Sequence, residues 1–285
     1  MSGAYWYWGL VGLSLILLAV ALWRRKDWKL LVLHLSLPGI IQPFEILIMH
    51  FNGYRYVPGM LPGSSDTYAG AIVSDMFILP ASAAVISAFS LGWPARILFA
   101  ALFAGIDWYF AALGIYQHTW WKSVYTFIVL IPLYAASGWL WAGLQAKTPP
   151  RLFRLLIIYL CYAYFHNLIN FLAERGTTLY KMQIAALVPA WQGADEIKVH
   201  VALAGSQAFI AGAVTALAIG LKMPFRWRIA AGGAIILINW ALGYSGIFVP
   251  QTAGITSQHL NLLTLSTLPL LAGIFKAARL DYLFP

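Results

Sequence analysis

The chain has 285 residues, of which 61% are hydrophobic and only 9% charged. A soluble domain carries about 25% charged residues, so this one cannot coat a globule in water, and lipid is its expected solvent. The formal charge of +9 does not indicate nucleic acid, because the basic residues form short clusters between apolar runs, where topology signals lie.

The first apolar run, Tyr5 to Trp23, has no basic residue before it. Arg24, Arg25 and Lys26 follow where a cleaved signal peptide would show small residues, so the run is expected to stay as a membrane helix. Further runs at 30–49, 69–91, 96–114, 123–145, 152–172, 199–221, 229–246 and 257–275 have the length of single spans. The expected fold is therefore all-α, a polytopic integral membrane protein of about nine transmembrane helices. Cys161 is the one cysteine and falls inside an apolar run, which excludes a disulfide framework and a cysteine metal site.

The loops differ sharply in charge. Those after the first, third, fifth and seventh helices, with the C-terminus, hold Arg24, Arg25, Lys26, Lys29, Arg96, Lys147, Arg151, Arg154, Lys222, Arg226, Arg228, Lys276 and Arg279. The other side holds Arg55, Lys122, Arg175, Lys181 and Lys198. The positive-inside rule then puts the N-terminus outside and the C-terminus in the cytoplasm of a bacterial cell, with the chain in the plasma membrane. Two outer loops are long, about 50–68 and 173–198. The second carries an apolar patch from Ile184 to Trp191, too short to span and readable as an interfacial loop or a lid.

Residues 74–115 align without a gap on residues 206–247, at an offset of 132, with 11 of 42 positions identical. The identities include Ser74/Ser206, Phe77/Phe209, Arg96/Arg228, Trp108/Trp240 and Gly114/Gly246, and Pro132 and Pro269 also correspond after a short insertion. Helices 2–5 are thus expected to recur as helices 6–9. The chain divides into an N-terminal helix and basic loop (1–28), a first four-helix repeat (29–147) and a second (148–285). An even number of helices per unit makes the repeats parallel, related by an axis along the membrane normal.

Three acids fall within predicted helices: Glu45, Asp75 and Asp107. Ionisable groups at membrane depth cost a few kcal/mol on insertion scales and usually face a cavity or a partner. The alignment pairs Asp75 with Gln207 and Asp107 with Asn239, and a weaker match pairs Glu45 with His166. Acids in one unit stand where neutral polar groups stand in the other. Facing units would gather both sets in one outward-opening cavity, where unequal titratable groups separate acid from base. The expected catalytic residues are Glu45, Asp75 and Asp107. His166, Gln207, Asn239, Trp108 and Trp240 are the expected substrate-binding set, the two indoles as faces for a bound or developing cation. All of these also have a structural reading as interhelical hydrogen-bonding or packing groups. No His-Glu-x-x-His run, phosphate loop or Gly-x-Ser-x-Gly elbow is present, and no metal or cofactor is expected.

The segments Trp23–Trp28, Ile72–Phe77, Ile106–Trp108, Gly114–Tyr116 and Trp120–Tyr125 resemble a family of uncharacterised five-helix membrane proteins of spore-forming Firmicutes. The resemblance covers residues 5–145 and implies a five-helix unit but no activity; the second four-helix unit is this chain's addition. Glu45 and Asp75 on successive helices bear a fainter likeness to membrane-integral terpene cyclases, and Pro43-Phe44-Glu45 resembles the Pro-x-Glu of small carotenoid cyclases, which implies acid–base chemistry on an isoprenoid. Three functions follow as alternatives: a membrane-embedded acid–base enzyme whose partner is a membrane lipid or lipid-like small molecule, a proton-coupled transporter, and a non-catalytic membrane scaffold.

Overall fold

The structure is a computed structural model that describes residues 3–63, 65–173, 180–182, 196–252, 254 and 256–280. The apolar patch 184–191 lies outside the described residues. Among those described, nine helices follow in chain order: α1 (Ala4–Arg25), α2 (Lys29–His50), α3 (Ser65–Ala88), α4 (Trp93–Ala112), α5 (Ser123–Gln145), α6 (Arg151–Phe171), α7 (Glu196–Gly220), α8 (Phe225–Tyr244) and α9 (Ser257–Ala277). Four three-residue strands form two antiparallel pairs, β1 (Tyr54–Tyr56) with β2 (Tyr116–His118) and β3 (Tyr180–Met182) with β4 (Phe248–Pro250). Seven helices are long and apolar enough to cross a membrane: α1 to α6, and α7 over Leu203–Gly220. Of the nine expected spans, α8 falls outside that set and α9 supplies only the shorter apolar stretch Leu265–Ala277.

The chain divides into two compact units, Met1–Pro149 and Pro150–Pro285. Helix α1 belongs to the first, where the Tyr7 hydroxyl donates to the Ile115 carbonyl at 3.1 Å. Helix α3 is the axis of this unit: 78% of its apolar window is buried, against 11% for α4. Its second half is built of small residues, with Ala81, Ser82, Ala83, Ala84 and Ala88 all buried, so neighbouring backbones approach closely. Ser87 donates to Ser137 at 2.8 Å, and Ser137 to the Ala83 carbonyl at 2.9 Å, which pins α5 to α3. In lipid each such bond contributes about 0.6–2 kcal/mol. The outer face of α4 is apolar, with Ile97, Leu98, Leu102 and Trp108 exposed. Such a face is a liability in water and matches hydrocarbon.

Helix α3 begins four residues before the expected 69. Asp66 in its first turn accepts the N–H groups of Gly59, Met60 and Leu61 at 2.8, 2.6 and 3.0 Å. The preceding loop is thereby folded onto the helix N-terminus, whose dipole favours the carboxylate.

In the second unit α7 closes on α6 through glycines. A Cβ at Gly212 would stand 3.0 Å from the Tyr159 ring, and one at Gly220 would stand 2.6 Å from Leu155. Element boundaries in the two units coincide at an offset of 132. Ala88 and Gly220 end α3 and α7, α4 matches α8 at both ends, and β2 matches β4 at both ends. Left-handed residues follow the same spacing, Ser90 with Lys222 and Gly114 with Gly246.

Candidate functional site

The register of β1 and β2 pairs Tyr54 with His118 and Tyr56 with Tyr116. Alternation along each strand puts these four side chains on one face, with Arg55 and Gln117 on the other. The inward face is aromatic. Tyr54, Tyr56 and Tyr116 stand 5.0 to 5.6 Å apart by ring centroid, and Trp121 stands 5.5 Å from Tyr54.

Beneath this ribbon lies a cavity of about 500 Å³, lined only by first-unit residues. Each of α1 to α5 contributes to its wall, with Leu10, Phe44, Ile78, Phe110 and Leu130 among the apolar residues and Glu45 and Asp107 the acidic ones. Its size lies within the range of small-molecule sites, about 300–1,000 Å³.

Glu45 is 7% exposed, five residues before the end of α2. The Tyr54 hydroxyl donates to its Oε2, and the Tyr56 phenol approaches the same carboxyl. Its Oε1 is buried without a hydrogen-bond partner. Burial first, and the charge of Glu45 second, push the Tyr54 and Tyr56 phenols well above their ordinary range; burial does the same to Tyr116. All three are therefore hydrogen-bond donors at neutral pH.

Asp75 lies ten residues into α3, about three turns, deeper than its expected place because the helix starts earlier. It sits on a π-helical turn, Ser74–Ile78, in which the Leu79 N–H bonds the Ser74 carbonyl five residues back. Pro80 brings no N–H to this part of the helix, and the ring of His34 lies against the carbonyls of Met76 and Pro80. Asp75 is buried, its Oδ1 has no hydrogen-bond partner, and it is within electrostatic range of Glu45. Its neighbour Ser74 lines the cavity; Asp75 lies behind that wall.

Asp107 is saturated. His118 Nε2 lies 2.6 Å from its Oδ1, Ser123 donates to Oδ1 at 2.7 Å, and Thr126 donates to Oδ2 at 2.6 Å. One carboxylate thus ties α4 to β2 and to the first turn of α5. The expected grouping of three acids resolves into Glu45 and Asp107 on one wall system, with Asp75 close behind Glu45.

The other expected site residues lie elsewhere. Trp108 and Trp240 are 64% and 56% exposed. A residue adjacent to an inward-facing one on a helix is turned by about 100°, so Trp108 faces outward because Asp107 faces inward. His166, Gln207 and Asn239 are buried in the second unit. There Gln207 donates to Asn239, Asn239 donates to Asn261 at 2.9 Å, and the His166 ring stacks on Tyr162 at 5.7 Å. The two side-chain amide hydrogen bonds join α7 to α8 and α8 to α9 and are of the kind that holds helices together, while the His166–Tyr162 stack lies within α6. The aromatic ribbon escaped the sequence reading. Its signal is the alternation Tyr54-x-Tyr56 and Tyr116-x-His118, visible only if outer loops are searched for period two. Comparison of the chain with protein-family models, curated proteins and solved structures finds no match.

Proposed function

We propose that the chain is a multi-pass membrane protein whose first unit handles a proton at Glu45, in a cavity for an isoprenoid or other lipid-like molecule. The observation that carries this reading is Glu45 itself: a buried carboxyl on the wall of a 500 Å³ apolar cavity, held by Tyr54 and with one buried oxygen lacking a hydrogen-bond partner. Protonated Glu45 would give its hydrogen to a carbon–carbon double bond. The π pair forms the new C–H bond, leaving a carbocation and a carboxylate. Loss of a neighbouring C–H proton to that carboxylate regenerates the acid and yields an isomerised or cyclised product. No oxidant or second substrate enters. Tyrosine faces stabilise the transient cation, and Asp107 positions β2 over the cavity rather than transferring protons.

Nine spans in two parallel repeats, with the ribbon end of the first unit outside, complete the reading. It is supported by the loop charges and by element ends that recur 132 residues apart. Transport is less well supported, because the residues that the middle of α5 gives to the cavity lining, Val129, Leu130, Pro132, Leu133 and Ala136, are all apolar. The test is brief incubation of membranes containing the protein in heavy water, followed by mass spectrometry of the lipid extract. Non-exchangeable deuterium that depends on the protein and is lost in Glu45→Gln is expected. Equal labelling with the wild type, the variant and empty membranes would remove the acid–base assignment.

A further inference from the structure

We infer that the first-unit cavity is a binding site for a lipophilic cation, a single positive charge on an apolar body, seated between Glu45 and the tyrosine ribbon. The inference rests on the same cavity as the proposed acid–base reading, but on its charge balance rather than on proton transfer.

Two carboxyls, Glu45 and Asp75, are buried within electrostatic range of each other. Among the described residues no lysine or arginine forms an ion pair with either; the one ion pair joins His118 to Asp107. Each has an oxygen that is buried and lacks a hydrogen-bond partner, Oε1 of Glu45 and Oδ1 of Asp75. A buried charge without a counterion is costly, and a site that keeps such groups is complementary to a cation brought from outside. The walls exclude a small hydrated ion, because apart from Glu45, Asp107, Ser74 and Thr126 the lining is aromatic and aliphatic, with Asp75 behind it. Three tyrosine rings stand 5.0 to 5.6 Å from one another beside Glu45, and Trp121 stands 5.5 Å from Tyr54. Aromatic faces around a carboxylate are the arrangement that recognises ammonium and other soft cations, at about 0.5–2 kcal/mol per desolvated ring contact. The second unit carries Gln207, Asn239 and His166, none of them a carboxyl, at the aligned positions, so the cation preference belongs to the first unit.

Tetraphenylphosphonium and tetraphenylborate share a shape and differ in sign, which makes them the probes. In the purified full-length protein in detergent, dicyclohexylcarbodiimide modifies accessible intramembrane carboxyls, and peptide mass spectrometry reads the Glu45 adduct. We expect tetraphenylphosphonium to protect Glu45 at least tenfold and saturably, and tetraphenylborate to protect it not at all. Equilibrium binding of the phosphonium should weaken at least tenfold in Glu45→Gln, several-fold in Tyr116→Leu, and not in Trp108→Leu. Equal protection by both probes, or none by the phosphonium, overturns the inference. The carbodiimide experiment uses wild-type protein, so a variant that fails to fold does not weaken it. Phosphonium protection without deuterium transfer would sink the acid–base reading and leave the cation site standing. Deuterium transfer without protection would do the reverse.

Discussion

Glu45 concentrates the electrostatic cost of the first unit, and its stability depends on a donor that comes from outside the helices. Tyr54 lies in β1 and donates to the carboxyl across nine residues of chain. Tyr54→Phe keeps the ring and removes the donor, leaving a second buried oxygen without a partner. The expected cost is about 1–3 kcal/mol, read as a lower thermal midpoint in detergent. Adding Glu45→Gln should recover part of that loss, because an amide costs less to bury than an uncompensated carboxylate; strict additivity of the two changes would deny the coupling. The phenols of Tyr54, Tyr56 and Tyr116 give a second prediction at this scale. Burial raises their ionisation well above the ordinary value, so the unfolded chain releases these protons first as pH rises. Their contribution to folding stability is then constant below about pH 10 and falls above it. Ultraviolet titration should show a set of phenols that ionise only on unfolding, and the set should shrink by one in each of Tyr54→Phe, Tyr56→Phe and Tyr116→Phe.

At the scale of elements, the apolar spans were legible because lipid imposes a simple rule, about 20 apolar residues per crossing. Their ends were less so. Asp66 extends α3 by gathering three loop N–H groups, an interaction between residues that hydropathy treats as a break. The strands were invisible for a related reason: three residues such as Tyr54–Tyr56 become a strand only when Tyr116–His118 lies beside them. The acids were found, since charge inside an apolar run is conspicuous, but their division of labour was not. That Asp107 is saturated while Glu45 keeps one oxygen without a partner depends on side chains from β1, β2 and α5. Pro80 was present to be read, yet its effect is a π-helical turn that sets the direction of Asp75. Such turns recur at functional sites. Pro80→Ala restores an N–H and removes the obstacle to a regular α-helix. It should stabilise the protein by up to about 3 kcal/mol while rotating Asp75 away from Glu45. A higher thermal midpoint with lost phosphonium binding is the expected pair of results; unchanged binding would show that the turn does not orient the site.

For the whole molecule the question is why two units of such similar outline differ in charge. In the proposed duplication one copy is free to keep costly buried acids while the other carries amides that bond each other, as Gln207 and Asn239 do. Units parallel in the membrane follow from four helices per repeat only if α8 and α9 both cross. Cys161 is buried and is the one cysteine in the chain, so introduced thiols report without background. Gln117 in β2, Thr148 between α5 and α6, and Gln251 after β4 are all exposed. In the proposed topology Gln117→Cys and Gln251→Cys react with a membrane-impermeant maleimide on intact cells, and Thr148→Cys reacts only after lysis. Protection of Gln251→Cys alongside labelling of Gln117→Cys would mean that α8 or α9 fails to span, and parallel duplication would be lost with it.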